Sequence, residues 1–184
     1  MEGQADKIKP AVPPKEGRPS DALSLVKKAK PTLQGRKLGV LVTDGFDAGL
    51  LAAVRDAAKS EQAALALIAP KVGGAKASNG KKTPADLSLA GAPSVFFDAV
   101  IILADEKGAA DLATRADAVN WVRDAFRHLK LIGFSSGANA LLTKAEIQAE
   151  QSPGVVEIKG KTAINRFIQE AKKGRIWERE ENLR

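Results

Sequence analysis

The stretch Gly133-Phe134-Ser135-Ser136-Gly137 fits the pattern G-x-S-x-G and follows the apolar pair Leu131-Ile132. A strand, tight turn and helix of this kind present a serine hydroxyl for attack on a carbonyl, provided a base takes its proton and a third group orients that base. An elbow serine takes its acid and its histidine from downstream segments. The only histidine, His128, precedes Ser135, at the far end of the same short strand. Ser135, Ser136 and Gly137 therefore read as a vestigial elbow, a nucleophile's turn without a base. Two other clusters fall at expected strand ends, Asp44-Gly45 and Ala104-Asp105-Glu106. Asp105 and Glu106 could bind a metal, act in acid–base work, or begin a helix whose positive end they offset. Asp44 fits a turn or an N-cap, and Ser135 and Ser136 could cap the helix after them.

Composition removes further chemistry. The chain has no cysteine, one histidine and one methionine, which excludes disulfides and thiolate sites and argues against any metal. No G-x-G-x-x-G follows the first strand and no G-x-x-x-x-G-K-S/T occurs, so no dinucleotide or P-loop cofactor is expected. Gly73-Gly74 between Lys71 and Lys76 could hold an anion or simply form a loop. Neither His128 nor Met1 has the setting of a heme ligand.

The net charge of +7 raises a nucleic-acid reading, but its distribution opposes it. Residues 1–36 carry eight Lys or Arg against four Asp or Glu, and aromatics are only 4%, with no tyrosine for base stacking. No nucleic acid and no membrane are expected as partners, because no apolar run reaches the ~20 residues of a span and the start lacks a signal peptide's apolar core. The absence of cysteine fits a cytoplasmic protein.

The elements that must carry these groups begin after a Pro-rich opening. Pro10, Pro13, Pro14 and Pro19 share it with charged and small residues, so 1–19 read as a disordered tail and 20–36 as a linker or strap, with a short helix near Ser20–Lys28 stopped by Pro31. Residues 37–184 form one domain. Leu38–Val42, Ala64–Ala69, Ala99–Leu103 and Leu129–Phe134 read as buried strands. Helical spacing recurs in Phe46, Leu50, Leu51, Val54 and Ala58, in Val119, Val122 and Phe126, and from Thr162 to Lys173 with Ile164, Phe167, Ile168 and Ala171 on one face. Asn79-Gly80 predicts a hairpin with a type I′ turn, and Val95–Phe97 a loop or a helix start. His128 reads as a helix C-cap, Trp121 as packing a helix onto the sheet or a neighbouring subunit, and Trp177 as a clamp for the tail. Alternating strands and helices imply a flavodoxin-like, doubly wound, mostly parallel α/β sheet with helices on both faces. Ligands of such sheets sit beyond the C-terminal strand ends.

Val42-Thr43-Asp44-Gly45-Phe46-Asp47 and the Ser135 turn, within Lys37–Leu142, resemble the class I glutamine amidotransferase-like superfamily, which includes PfpI-type proteases, deglycases and holding chaperones. From Ser20 onward the chain more specifically resembles the C-terminal domain of large-subunit (clade 2) heme catalases. The residues that carry this are Ala22–Leu25, Pro31–Lys37, Asp44–Ala48, Pro93–Val100, Phe126–Lys130 and Ile176–Glu180.

The departures from the wider superfamily bear on chemistry. Its reactive cysteine falls on Ser135, its supporting glutamate on Leu50, and its oxyanion-side glycines near Ala104 and Asp105. These losses together remove nucleophile, acid, base and oxyanion donors. The resemblance thus implies a non-catalytic accessory domain of a hydrogen-peroxide-disproportionating catalase, with no cofactor in this chain and the heme in the parent core. Its implied partners are that core domain and sister subunits of a homotetramer, whose assembly it would stabilise, and unfolded client proteins if it acts as a holding chaperone. The alternative is a stand-alone PfpI-like hydrolase or deglycase using Ser135 with an unconventional base such as lysine.

Overall fold

Period-two alternation along short apolar runs fixes this architecture, because each strand must bury side chains on two opposite faces. The computed structural model describes residues 11, 12, 17 and 20–180. A first helical turn, α1 (Leu25–Lys28), precedes β1 (Lys37–Val42), α2 (Ala48–Ser60), β2 (Ala64–Ala69), and the small strands β3 (Ala75–Lys76), β4 (Lys82–Thr83) and β5 (Leu87–Ser88). Then follow β6 (Ala99–Leu103), α3 (Glu106–Ala113), α4 (Ala116–Arg127), β7 (Leu131–Phe134), α5 (Asn139–Lys144), β8 (Val155–Glu157) and α6 (Lys161–Lys172). The six-stranded sheet has the order β5-β2-β1-β6-β7-β8 with every pairing parallel, and β3 and β4 form a separate antiparallel hairpin.

Leu38, Val40 and Val42 of β1 join Ile101 and Leu103 of β6 in a core covered by α2 and α6, whereas Leu41, Val100 and Ile102 face α3, α4 and α5. Helices on both faces make the sheet flavodoxin-like. Gly39 is where the second layer comes closest: a Cβ there would lie 2.6 Å from the Phe97 ring. Phe97 in turn meets Trp121 with ring centroids 6.5 Å apart, and the Trp121 indole N–H donates to the Ala92 carbonyl at 2.8 Å. Trp121 therefore packs α4 onto this layer.

Several helix ends differ from what the residues suggest. Asp47, rather than an earlier residue, caps α2 by accepting from the amides of Gly49 and Leu50. The strand expected from Leu129 starts at Leu131, because Leu129 adopts φ +58. Its amide donates to Phe126 O and that of Lys130 to Ala125 O, which closes α4 in a Schellman motif. His128 is the C-cap, its Nδ1 2.7 Å from Asp124 O. Gln62 and Glu146 end α2 and α5 in the same left-handed conformation. The hairpin at Asn79-Gly80 forms, but only Gly80 has positive φ; its amide bonds back to Ala77 O, whereas a type I′ turn needs both central residues left-handed. Ser94–Phe96 is one 3-10 turn.

The disordered tail expected for 1–19 falls outside the described residues except at 11, 12 and 17. In the strap, Ser24 caps α1, whereas Leu33 is the residue that docks, fully buried among β1 and α6 side chains. Arg36 Nη1 bonds the carbonyls of Ala171 and Lys172 at the end of α6.

The tail clamp is not Trp177, which is 49% exposed, but Arg179, which is 1% exposed. Its guanidinium donates to Phe126 O and Lys130 O and lies 4.6 Å from the Phe126 ring centroid. A planar guanidinium satisfies helix-end and strand-start carbonyls together. Lys130 is likewise fully buried, its ammonium donating to Val95 O and Phe97 O. Burial pushes this ammonium down to about 8, aided by Arg175 and opposed by Asp98.

Two outcomes follow from these caps and charges. Gln62 is exposed and strained, so Gln62→Gly is expected to raise stability in urea unfolding by roughly 0.5–1 kcal/mol; a loss would show that the side chain matters more than the backbone. Between pH 8 and the usual lysine range the folded chain releases the Lys130 proton that the unfolded chain keeps, so stability rises with pH through that window. Lys130→Met should flatten this rise in urea titrations up to pH 10, and an unchanged slope would remove Lys130 as its source.

Candidate functional site

The strand ends bring three loops together, and glycines set how closely. The loop after β7 approaches the loop after β6 so tightly that a Cβ on Gly137 would lie 2.6 Å from Ala104 O and 2.7 Å from Asp105 Cα. A Cβ on Gly45, which has φ +85, would collide with the Asp105 carboxylate, and one on Gly108 would come 2.9 Å from Asp44 O. Backbone thus stands against backbone where a bound substrate would need room.

Ser135 lies in this contact. It is 8% exposed, with φ −76 and ψ 153, an ordinary extended conformation rather than the strained turn that thrusts a nucleophile into a cleft. Its Oγ donates to Ala104 O at 2.7 Å and accepts from Ala104 N at 2.9 Å, and its own amide donates to Ile102 O. The hydroxyl extends the β6–β7 ladder by one step.

Neither serine caps the following helix through its hydroxyl: no side-chain cap bond forms at Ser135, and Ser136 is exposed, its carbonyl accepting from Asn139 Nδ2. Leu50 sits half-buried in the first turn of α2, packed against that side of the core, where it supplies no acid. His128 is at the opposite edge of the sheet, past the N-terminal end of β7.

The acidic candidates are structural. Asp105 Oδ1 accepts from Gly108 N at 2.7 Å as the N-cap of α3, and Glu106 occupies that helix's first turn. The first-turn acids complement the helix dipole as the sequence suggests. Asp44 Oδ1 accepts from Lys76 N at 2.7 Å, while Gly45 N donates to Lys76 O, so Asp44 is a turn residue that ties the β3–β4 hairpin to the end of β1.

Beside this contact lies a cavity of about 220 Å³, lined by Thr43, Asp44, Lys71, Gly74, Asp111 and Arg115 among others. Ser135 does not line it. Two cations and two acids offset one another there, which weakens an anion site at Gly73-Gly74. Arg115 is engaged by Asp117 at 2.8 Å, an interaction that holds the Asp117 carboxyl below its ordinary range. A heme does not fit the residues present. His128 is exposed with Nδ1 engaged by Asp124 O, the sequence has no tyrosine or cysteine, and no group of three or more metal-ligating side chains converges among the described residues. No described helix is long and apolar enough to cross a membrane.

Sequence reasoning missed Lys130 and Arg179, which the structure brings together at the N-terminal strand ends. The signal was faint: a lysine directly before an apolar strand and an arginine in a charged terminus, both usual on surfaces.

Solved structures with this fold include Toxoplasma gondii DJ-1 (TM-score 0.61, 15% identity, covering 75% of this chain and 94% of that one) and Drosophila melanogaster DJ-1beta (TM-score 0.60, 16% identity, 80% and 95%). Among curated proteins, Catalase C of Rhizobium meliloti is 42% identical over 166 residues, 90% of this chain and 24% of that protein. Catalase HPII of Pseudomonas aeruginosa is 32% identical over 174 residues, 93% and 24%. The chain spans about a quarter of the length of these relatives. Residues 34–181 match the profile of the C-terminal domain found in long catalases. With a DJ-1-like sheet whose strand-end turn is sealed by Ser135, the chain belongs to that catalase C-terminal domain family.

Proposed function

We propose that this chain is a non-catalytic accessory domain of a large hydrogen-peroxide-disproportionating heme catalase, and that it stabilises the subunit and its tetramer. The observation that carries the non-catalytic part is the Ser135 hydroxyl, whose proton and one lone pair are both committed to Ala104. A nucleophilic serine needs its proton directed at a base, and this one is directed at a main-chain carbonyl. The similarity to long catalases over nine-tenths of the chain supports the accessory part, and peroxide chemistry belongs in this reading to a heme-bearing core outside this sequence.

Ser135, Ser136 and Gly137, with Leu50 in the lost acid position, are proposed to be structural remnants. A hydrolase using Ser135 would require the β6 and β7 loops to part and a lysine to arrive; Lys130 lies just before β7, at the far end of that strand from Ser135.

The core domain and sister subunits are the proposed partners. A holding role toward unfolding chains would draw on exposed apolar side chains, such as Phe96, rather than on the strand-end turn.

Ser135→Ala removes both bonds to Ala104 and leaves a buried amide and carbonyl without this partner. It is expected to lower stability by roughly 1–3 kcal/mol in chemical denaturation. Full stability together with loss of an esterase activity would instead restore Ser135 as a nucleophile. The purified chain is expected to show no heme absorbance and no oxygen release from hydrogen peroxide at an oxygen electrode; measurable turnover by the metal-free chain would overturn the accessory reading.

A further inference from the structure

We infer that the N-terminal edge of the sheet, opposite the sealed turn, is the face on which the preceding part of a long catalase docks. The inference rests on the accessory reading above and names the surface that performs it.

The edge exposes three large apolar side chains: Val95 is 53% exposed, Phe96 61% and Trp177 49%. On the opposite edge the comparable side chain among the described residues is Val72. Val95 and Phe96 belong to the 3-10 turn Ser94–Phe96, and Trp177 to another, Trp177–Arg179. Both turns are fastened to one side chain and its backbone. Lys130 Nζ donates to Val95 O at 3.1 Å, and Lys130 O accepts from Arg179.

Phe96 is also held by its neighbour. Phe97 is buried against Gly39, and its amide closes the turn onto Ser94 O at 3.1 Å. The outward Phe96 is thus presented by a fixed backbone. An aromatic held in place loses little freedom on contact, the condition that makes such residues interface anchors.

Lys130 and Arg179 are buried cations whose hydrogen-bond partners are carbonyls, and among the described residues the buried side-chain atoms without a hydrogen-bond partner, Ser94 Oγ and Arg179 Nε, both lie in this layer. Native folds leave few such atoms.

The occupant follows from where the chain enters. This family is the C-terminal domain of long catalases, and the chain matches a quarter of such proteins, so the rest of them precedes it. The preceding chain arrives through the strap, which meets the domain at Leu33, Arg36 and Lys37, on the same edge as Phe96 and Trp177. Leu23 and Val26 of the strap are exposed as well. A tether of this length holds the preceding part at high effective concentration beside this edge and away from the sealed turn.

The test grafts this chain in place of the matching region of Rhizobium meliloti Catalase C and compares the assembled holoenzyme with the isolated chain. Hydroxyl-radical labelling of Phe96 and Trp177 is expected to fall several-fold in the holoenzyme, with Val72 labelled as before. Phe96→Glu should lower the temperature at which the holoenzyme loses heme absorbance and leave the isolated chain's Tm unchanged, since Phe96 projects into solvent.

Protection of Val72 with Phe96 and Trp177 as open as in the isolated chain would overturn this face while leaving the accessory reading intact. No protection anywhere, with no thermal effect of the graft, would overturn both. A graft that fails to assemble where Catalase C does would overturn the fit of this face to that core. An isolated-chain dimer dispersed by Phe96→Glu would make the occupant a second copy. Suppression of client aggregation that the same substitution abolishes would make it an unfolded protein.

Discussion

The two-way bond between the Ser135 hydroxyl and the Ala104 backbone is the constraint on which the C-terminal edge of this sheet depends. A parallel ladder ordinarily ends where its loops diverge, and the crevice left there is where such folds bind ligands. Here a side chain replaces the next rung, joining Ala104 N and O to the strand beside it. Gly137 lets the loops touch, and Gly45 and Gly108 let the loop after β1 close on the same point. In a nucleophile's elbow the serine is held away from such bonds by strain. The relaxed φ of Ser135 and its burial go together, because the hydroxyl is placed as a member of the ladder.

Among the described residues, the buried side-chain atoms without a hydrogen-bond partner lie at the other edge. At the N-terminal strand ends the carbonyls of Val95, Phe97, Phe126 and Lys130 converge, and two cations are drawn in to meet them. Burying charge is costly, and the lowered proton affinity of Lys130 is the mark of that cost. The arrangement is nonetheless well placed mechanically. Lys130 connects the start of β7 to the turn bearing Phe96, and Arg179 connects the same residue to the terminal turn bearing Trp177. One strand start thus organises the outward aromatics, as Ser135 at the other end of that strand organises the sealed turn.

The sheet was legible from residues 38–42, 64–69 and 99–103 because apolar runs of that length bury both faces of a parallel strand. The face of α6 was legible for the same reason: Ile164, Phe167, Ile168 and Ala171 are the buried set that their spacing dictates. That no histidine follows Ser135 is a fact about composition. Where the Ser135 hydroxyl bonds could not be read there. That Ser135 turns to Ala104 depends on a neighbour 31 residues away and on glycines in two separate loops and the first turn of α3. The exchange of Trp177 for Arg179 as the tail's anchor has the same origin, because only the assembled ends of α4 and β7 create the carbonyls that a guanidinium can fill.

Local left-handed residues show how far the global fold overrides propensity. Gln62, Leu129 and Glu146 take a conformation that glycine would adopt without cost, each at the end of a helix that must turn back toward the sheet. In Leu129 the strain has a visible return. Its conformation aims the next residue, Lys130, inward to the Val95 and Phe97 carbonyls instead of leaving it in solvent, and the Leu129 carbonyl receives the amide of Ile176 at 2.7 Å. A strained residue between α4 and β7 therefore joins the terminal segment, the Phe96 turn and the start of the strand. The same strand that ends in the sealed serine begins in the layer that carries Phe96 and Trp177.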